Sequence, residues 1–145
     1  IAETSIDFNA KSDKEKAGLV IFQDEKHFYY LCKSVDQGKA VVQLFKSSTD
    51  NSKTMELLTQ ATLTTDKLLL RINAEGEQYS FSYADKQNNW ILLKDKVDGT
   101  FLSSQVANSF IGCVFGMYAT SSGDASSNMA SYKYLTYTGS DPMYK

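Results

Sequence analysis

The sequence predicts an all-β protein that folds as a two-sheet antiparallel β-sandwich. Apolar and small polar residues alternate with period two, as in residues 79–83, which read YSFSY. This alternation is typical of strands with one buried face. Short polar turns that contain glycine separate such runs, for example at residues 74–77 and 36–38. The only helix-like stretch, residues 11–16, is too short and too charged to be more than a turn.

Ten strands follow from this pattern. They are predicted over residues 4–8, 18–23, 28–35, 40–46, 55–61, 68–72, 79–83, 90–93, 111–119 and 130–137. The run 18–22, which reads GLVIF, is apolar on both faces, as expected for a central strand that is covered on each side. The 145 residues form one predicted domain, with no internal repeat or linker and with one Ser/Gly-rich loop at 120–128.

Charge and composition exclude several classes of partner. The net charge is -2 and no basic stripe is present, so no nucleic-acid partner is expected. Charged or amide residues interrupt every apolar run, so no membrane span is expected either. Residues 1–4, IAET, contain neither an initiator Met nor a signal-peptide pattern. They read as a cut or processed start, which leaves the compartment open.

The two cysteines, Cys32 and Cys113, both lie in apolar runs. Free, buried thiols are favoured here over a disulfide between them. No C-x-x-C spacing occurs and His27 is the single histidine, which excludes a structural zinc site.

Three groups of motifs extend this interpretation across nearly the whole chain. They are AGLVIFQDE at 17–25 with FYY at 28–30, LRI at 70–72 with YSFSY at 79–83 and NW at 89–90, and DGTFLS at 98–103 with FIG at 110–112. In this order and spacing they resemble the C-terminal β-sandwich of bacterial family 43 glycoside hydrolases of the β-xylosidase or α-L-arabinofuranosidase type. Two departures stand out: NSFIG at 108–112 replaces the family's G-G-F-T-G, and Lys133 stands where an Asp is common.

The resemblance implies a concanavalin A-like jelly roll that is a fragment of a larger hydrolase. In such enzymes a five-bladed β-propeller at the N-terminal side carries the two catalytic carboxylates. The sandwich would pack on the propeller and shape the active-site mouth for a xylo- or arabino-oligosaccharide substrate from hemicellulose. The family's sandwich begins further upstream, so the resemblance also implies that its first strands and the propeller are missing from this chain.

By motif matching, Phe110 would form the lip of the substrate pocket together with Asn108 and Ser109. An aromatic ring there can stack on a sugar and exclude water without taking part in the chemistry. The competing interpretation is that Phe110 is a core aromatic in front of a strand.

Catalysis within these 145 residues is not expected. Glu75 and Glu77 share the spacing of a carboxylate pair, but they bracket a hairpin glycine, which favours solvated turn charges. Ser103 and His27 show no nucleophile elbow and no acid partner at a readable spacing. His27 follows Lys26 in a predicted turn, so we expect an exposed side chain.

Two other classes of function remain open: an independent carbohydrate-binding module and a sandwich-type interaction domain. A module needs exposed aromatics that form one platform, whereas a docking domain needs an apolar patch at its loop end. The candidate aromatics are Tyr29, Tyr30, Trp90, Tyr132, Tyr134 and Tyr137. Strict alternation would place Tyr132 and Tyr134 on one face of their strand and Tyr137 on the other.

No cofactor is predicted. Sandwiches of this type sometimes bind calcium, and the loop acids Asp24, Asp85, Asp98 and Asp124 carry suitable oxygens. Because no D-x-D-x-D-G spacing is present, turn formation is the favoured role of these aspartates.

Overall fold

The protein is described by a computed structural model that covers residues 1–50, 52–85, 89–103 and 113–139. It contains the ten predicted strands and a single 3₁₀ turn at Thr100–Leu102. The strands are β1 (Ala2–Asp7), β2 (Lys16–Asp24), β3 (His27–Asp36), β4 (Lys39–Ser47), β5 (Met55–Thr62), β6 (Lys67–Glu75), β7 (Gln78–Ala84), β8 (Ile91–Asp98), β9 (Val114–Thr120) and β10 (Ser131–Tyr137). Residues 111 and 112 of the ninth predicted strand lie outside the described residues.

The strands form two five-stranded antiparallel sheets. Sheet A has the order β10-β1-β6-β7-β8, and sheet B has the order β5-β4-β3-β2-β9. Their inner faces enclose the main core, so the predicted two-sheet antiparallel sandwich is confirmed. No helix in the described ranges is long and apolar enough to cross a membrane.

The alternating runs supply the core as the sequence predicts. Every second residue of β6 and β7 is buried between the sheets: Leu68, Leu70, Ile72, Tyr79, Phe81 and Tyr83. Each large apolar side chain placed there contributes about 1.5–3 kcal/mol relative to an exposed position. The spacing of apolar residues therefore fixes which face of these two strands points inward.

Strand β2 is apolar on both faces because two clusters meet it. Leu19 and Ile21 belong to the main core, whereas Val20 and Phe22 pack against a second cluster on the outer face of sheet B. We call this second set the outer cluster; its buried members are Phe28, Tyr30, Cys32 and Phe45. The prediction of a central strand covered on each side is thus confirmed.

Gly18 lies where β2 and β3 approach each other closely. It pairs with Cys32, and a Cβ at this position would lie against the Leu31 carbonyl oxygen and 2.5 Å from the Cys32 Cα. No larger residue fits without a backbone shift. The glycine therefore permits the packing of the two central strands of sheet B.

A β-bulge in β10 overturns the predicted orientation of its tyrosines. Ser5 pairs with Tyr134 and Ile6 pairs with Tyr132, so Lys133 is an extra residue opposite β1. The extra residue shifts the alternation by one position. Tyr132 therefore shares the inward side with Tyr137, whose partner is the buried Ala2, and Tyr134 points outward. The expectation that Tyr132 and Tyr134 share a face was wrong.

Both cysteines are free thiols, but their surroundings differ. Cys32 is fully buried in the outer cluster, and this burial raises the pKa of its thiol. Cys113 is exposed at the start of β9, so the expectation of two buried cysteines was wrong for this residue. An apolar run predicted its burial, but Cys113 precedes the edge strand of sheet B, where one side has no neighbour.

Candidate functional site

The predicted lip residues Asn108, Ser109 and Phe110 lie outside the described residues, so this assignment stays a prediction. The chain on both sides of them is described. It leaves the 3₁₀ turn at Thr100–Leu102 and resumes at Val114, which pairs with Phe22 of β2. Both ends of the segment are therefore fixed at the end of the sandwich that carries the β2–β3 turn, which we call the turn end.

Phe101 anchors the first side of the turn end. Its ring lies 5.0 Å from that of His27 and 5.7 Å from that of Tyr29, between ring centres. The Lys46 ammonium lies 4.2 Å from the centre of the Phe101 ring, a cation–π distance. Side chains from β3 and β4 thus clamp the segment that precedes residues 104–112.

His27 is a structured residue of the turn end, which corrects the expectation that it is an exposed bystander. Its side chain is only 16% exposed, and Nδ1 lies 2.8 Å from the Asp24 Oδ1. A register shift between Phe22 and Asp24 turns the loop so that the ring falls between Asp24 and Phe101. Sequence spacing carries no signal for this, because the contact with Phe101 joins residues far apart in the chain.

The Asp24 carboxylate is held in its charged form. Burial acts to raise its pKa, but hydrogen bonds from His27 and from the Lys26 backbone outweigh this, and the pKa is lowered. Since a carboxylate accepts, the His27 Nδ1 donates to Asp24 and its Nε2 is left as the free ring nitrogen. The pair orients an imidazole at the turn end.

Asp98 and Tyr29 hold the second side of the turn end in place. The Thr100 side chain and backbone N–H donate to the Asp98 carboxylate, which lowers the pKa of Asp98. The Tyr29 hydroxyl donates to the Asp98 carbonyl oxygen at 2.8 Å, and burial raises the pKa of Tyr29 to about 12. Both groups keep fixed protonation states near neutral pH and act as structural contacts.

The electrostatics of the described residues do not resemble those of a glycosidase centre. A general acid of that chemistry needs a carboxyl group with a raised pKa. The carboxyl groups with a perturbed pKa, Glu15, Asp24, Asp50 and Asp98, are all shifted downward. Glu75 ends β6 and Glu77 lies in the turn beside Gly76, which has a φ of 58°; both are exposed hairpin charges, as predicted.

The candidate aromatics do not form one platform. Tyr29 and Tyr30 are buried, and the Tyr132 hydroxyl donates to the Tyr118 carbonyl oxygen at 2.9 Å. Trp90 is partly exposed, and the Arg71 guanidinium carbon lies over it, 3.8 Å from the centre of the Trp90 ring. Tyr134 and Tyr137 are exposed on opposite sides of β10. A planar sugar-stacking surface built from these six side chains is therefore absent.

The four loop aspartates lie apart, each with its own neighbour. Asp24 pairs with His27, Asp85 with the Thr64 hydroxyl, Asp98 with Thr100, and Asp124 with Lys14. Within the described ranges, no three His, Cys, Asp or Glu side chains lie close enough together to hold a metal ion.

The comparison with protein families decides the assignment. Residues 1–138 match the model of the beta xylosidase C-terminal concanavalin A-like domain. The chain belongs to this family. The resemblance read from the motifs, the concanavalin A-like sandwich and the link to family 43 glycoside hydrolases are thereby confirmed.

Relatives of this domain include parts of bacterial arabinofuranosidases and xylosidases. The chain is 27% identical to a non-reducing end alpha-L-arabinofuranosidase of Bacteroides ovatus and 29% identical to a xylosidase/arabinosidase of Butyrivibrio fibrisolvens. These matches cover 94% and 93% of this chain but 25% of each relative. The solved structure of GH43B from the Bacteroides ovatus xyloglucan locus superposes with a TM-score of 0.82 at 28% identity, covering 92% of this chain and 26% of that one. The chain thus spans about a quarter of the length of these relatives.

Proposed function

We propose that this chain is the non-catalytic C-terminal domain of a larger family 43 hydrolase, and that it packs on the catalytic propeller and shapes the active-site mouth. The parent enzyme would release xylose or arabinose from hemicellulose, in line with the names of the two bacterial relatives. One observation carries the packing step: side chains that belong to the interior of the sandwich are exposed along one of its sides.

That side lies between the edge strands β9 and β10. Met117 pairs with the buried Leu19, and Tyr137 pairs with the buried Ala2, so both point toward the sandwich interior. Yet Met117 is 46% exposed and Tyr137 is 68% exposed. Phe115 and Tyr137 are in contact across the two sheets, with ring centres 5.7 Å apart. We call these residues, with Leu135, the β9–β10 opening.

An apolar opening of this kind is suited to a partner that is always present. Contiguous exposed apolar side chains mark interaction surfaces more often than free solvent-facing surface. The matched region is only 25% of each relative, so in a protein of similar length the remaining three-quarters would supply a covalently linked partner domain. The β9–β10 opening would thus be covered by the rest of the same polypeptide.

The turn end supports the second part of the proposal, in which Phe110 forms the pocket lip with Asn108 and Ser109. Phe101 and Val114 fix the two ends of the segment that carries these residues. An aromatic ring presented from a rigid base can stack on a sugar face and exclude water at low entropic cost. The domain would then tighten the active site without supplying a catalytic group.

A substitution in the β9–β10 opening tests the packing step. Met117→Lys in the full-length enzyme is expected to separate one cooperative thermal transition into two, because it places a charge in the interface. Met129→Lys is the matched control, since Met129 is 79% exposed on a loop. If both variants unfold like the wild type in the full-length enzyme, the opening is not the interface.

The lip has a separate test. Phe110→Ala in the full-length enzyme is expected to lower turnover of short xylosides or arabinosides while leaving the melting temperature nearly unchanged. A large loss of stability with normal kinetics would instead make Phe110 a core residue.

A further inference from the structure

The outer face of sheet A carries a polar depression of about 280 Å³ beside the β6–β7 hairpin. It lies over β6, β7 and β8, and its lining includes Tyr79, whose side chain is buried in the main core. The other lining residues are all polar: Asn73, Glu75, Gln78, Ser80, Asp95 and Lys96. Its volume is just below the range of drug-sized ligand sites, which suits one or two sugar rings.

A β-bulge creates this depression. Tyr79 pairs with Val97 and Phe81 pairs with Lys94, so Ser80 alone faces both Asp95 and Lys96. An extra residue on one strand increases the local twist and brings two neighbouring side chains to one side. Asp95 and Lys96 therefore converge beside Ser80 and Asn73 instead of pointing to opposite faces.

Lys96 adopts a backbone conformation that disfavours lysine. Its φ is 53°, in the left-handed region where glycine and asparagine are the usual residues. Such a conformation is strained and recurs at ligand sites, where the side chain is needed in that place. The strained residue therefore lies at the bulge and lines the depression, which is consistent with a binding role for Lys96.

The lining groups are available for a ligand. Among the described residues, the side chains of Gln78, Ser80, Asp95 and Lys96 form no hydrogen bond or salt bridge with the rest of the chain. Asn73 makes only a 3.3 Å contact to the Glu75 carboxylate. Donors and acceptors thus lie side by side around one small space.

The mixture of these groups selects the class of ligand. Two carboxylates and one ammonium give a net charge of about -1, which disfavours phosphate and other anions. Hydroxyl groups both donate and accept hydrogen bonds, so a neutral polyol satisfies amide, hydroxyl, carboxylate and ammonium partners together.

An aromatic neighbour extends the same face. Arg71 pairs with Ser82, and Asn73 pairs with Ser80, so the depression lies two residues along β6 from Arg71. Trp90 stacks on Arg71 and is partly exposed. Trp90 therefore lies on the same face of sheet A as the depression.

We propose that this depression is a glycan-binding site for one or two rings of a neutral saccharide. Its binding groups are Asn73, Ser80, Asp95 and Lys96, and Trp90 lies on the same face of sheet A. The site does not depend on the catalytic propeller, so it functions in the isolated chain. Resting on the proposed function, such a site would hold the parent enzyme on hemicellulose.

Titration of the 145-residue chain with xylotetraose and with arabinotriose tests this. Trp90 is the single tryptophan, so its fluorescence reports on this face alone. We expect a saturable change with a Kd in the range of about 0.1–10 mM, and matching NMR shifts on β6, β7 and β8. No change in either signal up to about 20 mM of both sugars overturns the proposal.

Two variants separate binding from folding. Lys96→Gly relieves the positive φ, so it should keep or raise the melting temperature and yet weaken binding at least about fivefold. Asn73→Ala should weaken binding to a similar extent. Gln37→Gly is the matched control, because Gln37 has a φ of 50° in the exposed β3–β4 turn. Binding that survives both Lys96→Gly and Asn73→Ala would show that the depression is not the binding site, and would overturn the proposal.

Discussion

The outer faces of the two sheets differ in composition: that of sheet B buries apolar side chains, and that of sheet A carries polar and charged ones. Sheet B carries the outer cluster, in which Phe28, Tyr30, Cys32 and Phe45 are buried although they point away from the sandwich interior. Sheet A carries instead charged and polar side chains, including Arg71, which pairs with Glu3 and stacks on Trp90. The outer face of sheet B therefore contributes to stability, whereas that of sheet A remains available for recognition.

The largest expected effect comes from the close approach of β2 and β3. Gly18→Ala places a Cβ against the backbone of Leu31 and Cys32, which cannot move aside without breaking sheet B. We expect a loss of at least about 3 kcal/mol in the free energy of unfolding, measured by urea denaturation. Gly76→Ala, at a turn with open space around it, is the control for the loss of glycine itself. An equal effect of both substitutions would mean that close packing is not what requires Gly18.

A matched truncation compares the two outer faces directly. Phe45→Ala on sheet B is expected to cost about 3 kcal/mol, because it leaves a cavity in the outer cluster. Leu92→Ala on sheet A, where the side chain is 55% exposed, is expected to change stability by less than about 0.5 kcal/mol. Similar costs in chemical denaturation would remove the distinction between the faces.

The ionic contacts of sheet A are expected to be weak and sensitive to salt. The Arg71 Nε donates to the Glu3 Oε1 at 2.7 Å, and both side chains are partly exposed. Arg71→Ala should cost about 1 kcal/mol, and Arg71→Lys about half of that, since lysine keeps the charge but loses the planar stacking. Adding about 1 M salt should shrink the difference between wild type and Arg71→Ala. A salt-independent difference would assign the effect to packing on Trp90.

Sheet B is tied to the neighbouring loop by one carboxylate at the start of β2. The Ser126 hydroxyl, the Lys11 backbone N–H and the Asn128 amide all donate to Glu15. Chiefly through the Ser126 bond, they hold the pKa of Glu15 below the ordinary value of 4.5.

The contribution of Glu15 should therefore be complete above pH 4.5 and be lost as the pH falls through its lower native pKa. Thermal unfolding between pH 6 and pH 3 should show this loss in the wild type, and a smaller one in Glu15→Gln. Parallel pH profiles of the two proteins would contradict the assignment. The predicted shift is small beside the effects in sheet B.

Much of the fold was readable from the sequence, because strand formation is governed by local periodicity. The alternation in β6 and β7 placed Leu70 and Phe81 inside, and the run at 18–22, apolar on both faces, predicted a strand that is covered on each side. The family was readable as well, since its motifs lie in short contiguous segments. The candidate site was less accessible, because the contact between His27 and Phe101 joins residues 74 positions apart.

By itself, then, the sequence determined the sandwich, about ten strands, the inward faces of regular strands such as β6 and β7, and the family. Only the tertiary structure decided where the alternation fails. The bulge of β10 turns Tyr132 inward, and the bulge of β8 places both Asp95 and Lys96 opposite Ser80. It also decided that Lys33 is buried and donates to the Asp66 carbonyl oxygen. Periodicity is a property of one strand, whereas bulges and buried polar contacts depend on the register between strands, which is set by segments distant in the sequence.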